Sequence, residues 1–111
     1  MNFQIIAVDF DDTLALVDWP TILKPNEPLI RYLINKQRQG DKIILWTCRC
    51  GKELDAAVEF CAQHGLIFDA VNDNIPEAIE EFGENSRKIY ADAYIDDKSV
   101  RFYIPEDWYE N

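Results

Sequence analysis

Three acids fall within four positions near the amino terminus, in the run Ile5-Ile6-Ala7-Val8-Asp9-Phe10-Asp11-Asp12-Thr13-Leu14. The four apolar residues ahead of Asp9 read as a strand buried on both faces. Carboxylates gathered at the end of such a strand repel one another, so the arrangement asks for a cation. Asp9 and Asp11 are two apart and would share a side if the strand stayed extended. Oxygens grouped this way suit a hard divalent ion such as Mg2+. A helix N-cap at Asp11 or Asp12 explains one acid, but seldom three after a buried strand.

Two other apolar runs end in polar groups. Lys42-Ile43-Ile44-Leu45-Trp46-Thr47 reads as a second buried strand that ends in a hydroxyl. Ile89-Tyr90-Ala91-Asp92-Ala93-Tyr94-Ile95 leads into the pair Asp96-Asp97. A further strand is expected over Leu66–Val71. Between the strands lie helical patterns. Asn26 can cap a helix with Pro28 in its first turn and an apolar stripe at Leu29, Ile30, Leu33 and Ile34, ended by Gly40. A second helix opens at Gly51-Lys52-Glu53, faces inward with Leu54, Ala57, Val58 and Cys61, and stops at Gly65. A short third carries Ile75, Ala78, Ile79 and Phe82. The segment Ala15–Pro25 has no clean period and two prolines, and reads as a loop or short flap; Trp19 in it is either exposed or tucked onto the core edge. The aromatic stretch Val100–Trp108 is expected to pack across the sheet edge, with a short strand at Arg101–Ile104.

Strands alternating with helices imply an α/β fold with a mostly parallel sheet. In such sheets ligands bind beyond the carboxyl ends of the strands, where strand order reverses. Asp9, Thr47 and Asp96 all stand at those ends, which collects them into one candidate site.

The length of 111 residues leaves room for one domain, 1–111, with one core. Hydrophobic residues at 48% and charged ones at 29% are ordinary for a globular chain. No apolar run is long enough to span a bilayer, and no basic region precedes the first one, so neither a membrane span nor a signal peptide is expected. A formal charge of −10 argues against a nucleic-acid partner, which selects basic surfaces. It leaves room for a small phosphorylated ligand beside a bound cation. Cys48, Cys50 and Cys61 are odd in number, and His64 is the single histidine. Zinc would need more ligands, so buried or half-buried free thiols in a reducing cytoplasm are expected. His64 reads as a residue in a helix's last turn.

The ordered set Asp9-x-Asp11-x-Thr13, Thr47, Lys88 and Asp96-Asp97 resembles the four motifs of the haloacid-dehalogenase superfamily, in that family's order. The resemblance implies a Rossmann-like three-layer sandwich and a Mg2+-dependent phosphatase. It implies Asp9 as nucleophile, forming an aspartyl-phosphate, and Asp11 as general acid and base. It implies Mg2+ held by Asp9, the backbone carbonyl of Asp11 and Asp96, with Asp97 acting through water. Thr47 would donate to a phosphoryl oxygen. Lys88 would neutralise developing charge, with Arg87 its rival for that place. Thr47 as a plain strand end and Lys88 as a solvated lysine remain open at this point. Arg49 either binds a second anionic group on the substrate or is a surface arginine. Asn72 and Asn74 either border the pocket or cap. Neither gap that commonly carries a cap domain has room for one here, so the chain resembles a capless member. The site would then be closed by the flap, by Arg49 or by a second copy, and Trp19, Phe102, Tyr103, Trp108 and Tyr109 would supply a homo-oligomer interface. A small phosphorylated substrate is expected ahead of a macromolecule. The alternatives are a phosphate-binding or regulatory module without turnover, and a polynucleotide-end phosphatase.

Overall fold

The structure, a computed structural model, describes residues 1–109. Its centre is a four-stranded, wholly parallel sheet built from β1 (Ile5–Val8), β4 (Lys42–Leu45), β5 (Ala70–Val71) and β6 (Ala93–Ile95), in the order β5-β4-β1-β6. Every residue of β1 is buried, which is why it carries no polar side chain. Its odd and even positions serve different cores. Ile6 and Val8 join Ile43 and Leu45 beneath α1 (Glu27–Arg38) and α2 (Gly51–Gln63). Ile5 and Ala7 join Ile44 beneath α3 (Pro76–Phe82) on the opposite face. The result is an α/β fold with helices on both faces of a parallel sheet, a Rossmann-like layering.

The helices follow local chemistry. Asn26 caps α1 by accepting from the Leu29 amide, and Pro28 sits in the first turn where its missing N–H costs nothing. Ile30 and Leu33 are the buried stripe of α1. On α2 the buried positions are Ala57 and Cys61. Gly83 closes α3 in the left-handed region at φ 75°, where a side chain would be strained.

Four expectations need correction. The presumed loop after Leu14 is a β-hairpin, β2 (Ala15–Asp18) and β3 (Thr21–Pro25), with a register shift at Leu16/Val17 and Trp19-Pro20 at its tip. Neither the tip nor the bulged strand presents a period of two, so the pattern hid the strands. β5 is only two residues, because the Asp69 carboxylate takes the Ile43 amide where strand pairing would begin. The run Ile89–Ile95 becomes a strand only at Ala93. Asn74 takes the Tyr90 amide and Asp92 takes the Ile5 amide with their side chains. Finally, Arg101–Ile104 forms no strand and does not pack on the sheet edge. Val100, Phe102 and Tyr103 are exposed, Tyr103 by 98%, and a 3-10 turn follows at Glu106–Tyr109.

Candidate functional site

The strand order reverses at β1, whose neighbours are β4 on one side and β6 on the other. The chain therefore leaves all three carboxyl ends at one rim, the position open parallel sheets use for ligands. The Asp9 amide donates to the Ile95 carbonyl at 2.9 Å, extending the β1–β6 pairing one step and drawing Asp96-Asp97 alongside Asp9. Oxygens of Asp9, Asp96 and Asp97 consequently all lie within 4.8 Å of one another.

That crowding has an electrostatic consequence. Burial, first, and then Asp97 and Asp96 push the Asp9 carboxyl up from 3.8 to about 7, against the opposing pull of the Phe10 amide and the Thr13 hydroxyl. The Thr13 hydroxyl donates to Asp9 Oδ2 at 3.2 Å. Three carboxylates offering hard oxygen donors within 4.8 Å of one another are a donor set that fits Mg2+. The ion would relieve the repulsion that raises Asp9.

Asp11 goes elsewhere. After Phe10 the chain turns tightly, and the Phe10 carbonyl accepts from the Thr13, Leu14 and Ala15 amides. Asp12 occupies the left-handed region at φ 57°, within this turn. The fully buried Phe10 ring anchors the turn in the core. Asp11 is thereby turned onto Arg49. Its Oδ1 accepts from Nη2 at 2.8 Å and from Nε at 3.1 Å, and its Oδ2 from Nε at 3.1 Å.

Arg49 is therefore neither a surface arginine nor free for a second anion. It is 2% exposed. Its guanidinium lies 4.9 Å from the Phe10 ring centroid and 4.7 Å from that of Trp19, and also donates to the carbonyls of Glu53 and Pro20. One side chain thus ties the turn after β1, the hairpin tip and the first turn of α2 together.

Thr47 lines the same cavity as the acids, with a volume near 650 Å3. Its amide donates to Asn72 Oδ1 at 2.8 Å and its hydroxyl oxygen accepts from the Arg49 amide at 3.1 Å. Asn72 is thus a positioning residue for Thr47. Asn74 is a buried staple that holds Asn85, Ser86 and Tyr90 and takes no part in the rim.

Lys88 does not join the acids. Its ammonium lies 5.6 Å from the Tyr94 ring centroid, and it lines a separate cavity with Tyr90 and Tyr94. Tyr94 in turn packs on Trp46 at 5.3 Å, and Trp46 does line the acid cavity. Arg87 is exposed. The lysine beside the acids is Lys98, whose Nζ donates to Asp97 Oδ2 at 3.0 Å. This contact holds the Asp97 carboxyl below its usual value and raises Lys98 in return. Sequence reading passed over Lys98, although its place directly after the acid pair was a usable signal. It also gave Thr13 no role beyond its place in the motif.

Trp19 is exposed by 61%, on the hairpin tip. His64 is the C-cap of α2 and packs on Phe60. Cys48 and Cys50 are exposed thiols, contrary to the expected burial, and Cys61 is buried, its thiol pushed up to about 12 by desolvation. Among the described residues no helix is long and apolar enough to cross a membrane.

No protein-family description matches the chain, and no curated protein matches it. A solved structure, described as that of a conserved protein coded by a locus from Bacteroides thetaiotaomicron, is similar to it with a TM-score of 0.76. The two are 39% identical over 89% of this chain and 79% of the other. At that identity and coverage, the chain belongs to the same family as this conserved Bacteroides thetaiotaomicron protein.

Proposed function

We propose that this chain is a capless, haloacid-dehalogenase-like phosphatase that hydrolyses phosphate monoesters with Mg2+ and Asp9 as nucleophile. The observation that carries the reading is the convergence of Asp9, Asp96 and Asp97 within 4.8 Å at the rim where strand order reverses. Asp9, Asp96 and Asp97 would hold the ion, with the Asp11 carbonyl completing the set. Bound there, Mg2+ offsets the repulsion between an anionic nucleophile and an anionic phosphate.

The residues then divide the work. An Asp9 carboxylate oxygen bonds to phosphorus as the ester oxygen departs with a proton from Asp11, leaving an aspartyl-phosphate. Asp11, now ionised, takes a proton from water. That water's oxygen attacks phosphorus, freeing inorganic phosphate and the Asp9 carboxylate. Thr47, its amide fixed by Asn72, donates to a phosphoryl oxygen. Lys98 contacts Asp97 directly, whereas Lys88 lies over the Tyr94 ring, so Lys98 is the better-placed cation. Exposed free thiols at Cys48 and Cys50 fit a reducing compartment such as the cytoplasm.

A second reading, a phosphate-binding module without turnover, is favoured by one contact. Both Asp11 carboxyl oxygens accept from Arg49, a grip that leaves neither oxygen free to hand a proton to a leaving group. Hydrolysis of p-nitrophenyl phosphate separates the two. Phosphate release that needs Mg2+ and is lost in Asp9→Asn and Asp11→Asn supports the phosphatase. Retained turnover in purified Asp9→Asn protein sinks the covalent mechanism, and no turnover by the wild type favours the module.

A further inference from the structure

The cavity above the acids is far larger than a phosphoryl group needs. Its 650 Å3 falls within the range that encloses a whole small ligand. The acids and Thr47 account for the reacting end. Trp19 and Trp46 account for much of the remainder. Both indoles keep solvent-exposed surface, 61% and 39%, although exposed aromatic area is unfavourable in water. Each is also braced, Trp19 by the Arg49 guanidinium and Trp46 by the Tyr94 ring. Braced, accessible aromatic rings in a concave site are pre-formed stacking surfaces.

Charge narrows the ligand further. Four carboxylates line the cavity, from Asp9, Asp11, Asp96 and Asp97, against the two cations Arg49 and Lys98. Arg49 is held by Asp11 and Lys98 by Asp97. One divalent ion balances the excess and serves the phosphoryl group. Among the described residues of the lining, no cation is then left for a second anionic group on the substrate.

Resting on the phosphatase reading, we infer that the substrate is a small monoester of the nucleoside monophosphate type, whose uncharged leaving group carries a planar aromatic base on a sugar. Its ring system seats on Trp19 and Trp46 while its phosphate meets Asp9. Polynucleotides and sugar bisphosphates are disfavoured, because each brings further negative charge to a wall that has no cation to receive it.

The test compares kcat/KM for adenosine monophosphate, ribose 5-phosphate and fructose 1,6-bisphosphate in Mg2+. The nucleotide exceeds ribose 5-phosphate by about tenfold or more, the scale of one base–aromatic stack. The bisphosphate is the poorest of the three. Trp19→Ala moves the nucleotide-to-ribose ratio toward one, and Trp19→Phe restores most of it. A wild-type ratio near one, or a ratio unmoved by both Trp19→Ala and Trp46→Ala, overturns the inference. Calorimetric titration of Asp9→Asn protein in Mg2+ separates this failure from that of the phosphatase reading. Tighter binding of adenosine monophosphate than of ribose 5-phosphate supports the stacking site even in a protein that hydrolyses nothing. Equal or undetectable binding of both overturns it, while turnover of an aryl phosphate would leave the phosphatase standing.

Discussion

Asp9 is the residue at which the opposing forces meet. Its carboxyl, raised from 3.8 to about 7, holds a proton in the folded metal-free chain over a range where the unfolded chain has released it. A chain that binds more protons folded than unfolded loses stability as pH rises. The contribution from Asp9 is therefore most favourable below its unfolded value and is lost between about pH 4 and about pH 7. Asp97, lowered by Lys98, acts in the opposite sense, but its contribution is screened by solvent. In chelator, the melting temperature should fall as pH climbs through this window. Mg2+ should raise it most above the window, where it displaces no proton. Asp9→Asn, which removes the titration, should flatten the slope measured by scanning calorimetry; an unchanged slope would place the burden on another group.

Among the elements, the β2–β3 hairpin and the first turn of α2 are joined to the turn after β1 through Arg49. Its charge is buried and its partner Asp11 is partly covered, so removing the arginine leaves a carboxylate without compensation. Arg49→Ala should cost about 3 kcal/mol in chemical denaturation, the low end for a broken buried pair because Asp11 keeps some solvent. Arg49→Lys should recover little of this, since an ammonium cannot repeat the planar two-oxygen grip or the stacking on Trp19. A loss under about 1 kcal/mol for Arg49→Ala would show that the hairpin holds its place without the pair. The elements also show what a sequence can carry. β1, α1 with its Asn26 cap, and α2 were legible because their apolar period and their punctuation agree. The hairpin was not, since its bulge breaks the alternation and Trp-Pro is not a residue pair that announces a two-residue turn. β5 and the start of β6 were overestimated because Asp69, Asn74 and Asp92 satisfy backbone amides with side chains, a substitution invisible in hydropathy. The acids of the rim were legible as a group. The partner of Arg49 was not, because pairing across 38 positions depends on how tightly the chain turns after Phe10. Lys88 matched a motif by order, whereas Lys98 has the contact.

The whole molecule is longer than its sheet requires. Its radius of gyration is 15.4 Å and its long axis 51 Å against 31 and 27 Å for the others. A compact domain of this length would have a radius of about 13 Å. The excess fits the segment after Lys98, where Val100, Phe102, Tyr103, Trp108 and Tyr109 are all exposed. The aromatic tail that read as a sheet-edge seal therefore leaves its rings uncovered within one chain. Four such aromatics, at about 150–250 Å2 each, could bury enough surface from two copies to reach a standard interface. Light scattering should show a homo-oligomer at micromolar concentration, and Phe102→Ser with Trp108→Ser should shift it to monomer without loss of secondary structure. A wild-type monomer at every concentration would mean that the tail serves no self-association.

If Asp9 carries the phosphoryl group, intact-mass analysis of protein quenched in acid during turnover of p-nitrophenyl phosphate with Mg2+ should reveal it. A fraction heavier by one phosphoryl group is expected, mapped to the peptide containing Asp9, enriched in Asp11→Asn protein where water activation is lost, and absent from Asp9→Asn. Steady turnover with no phosphorylated species at any quench time, or the added mass on another residue, would contradict it.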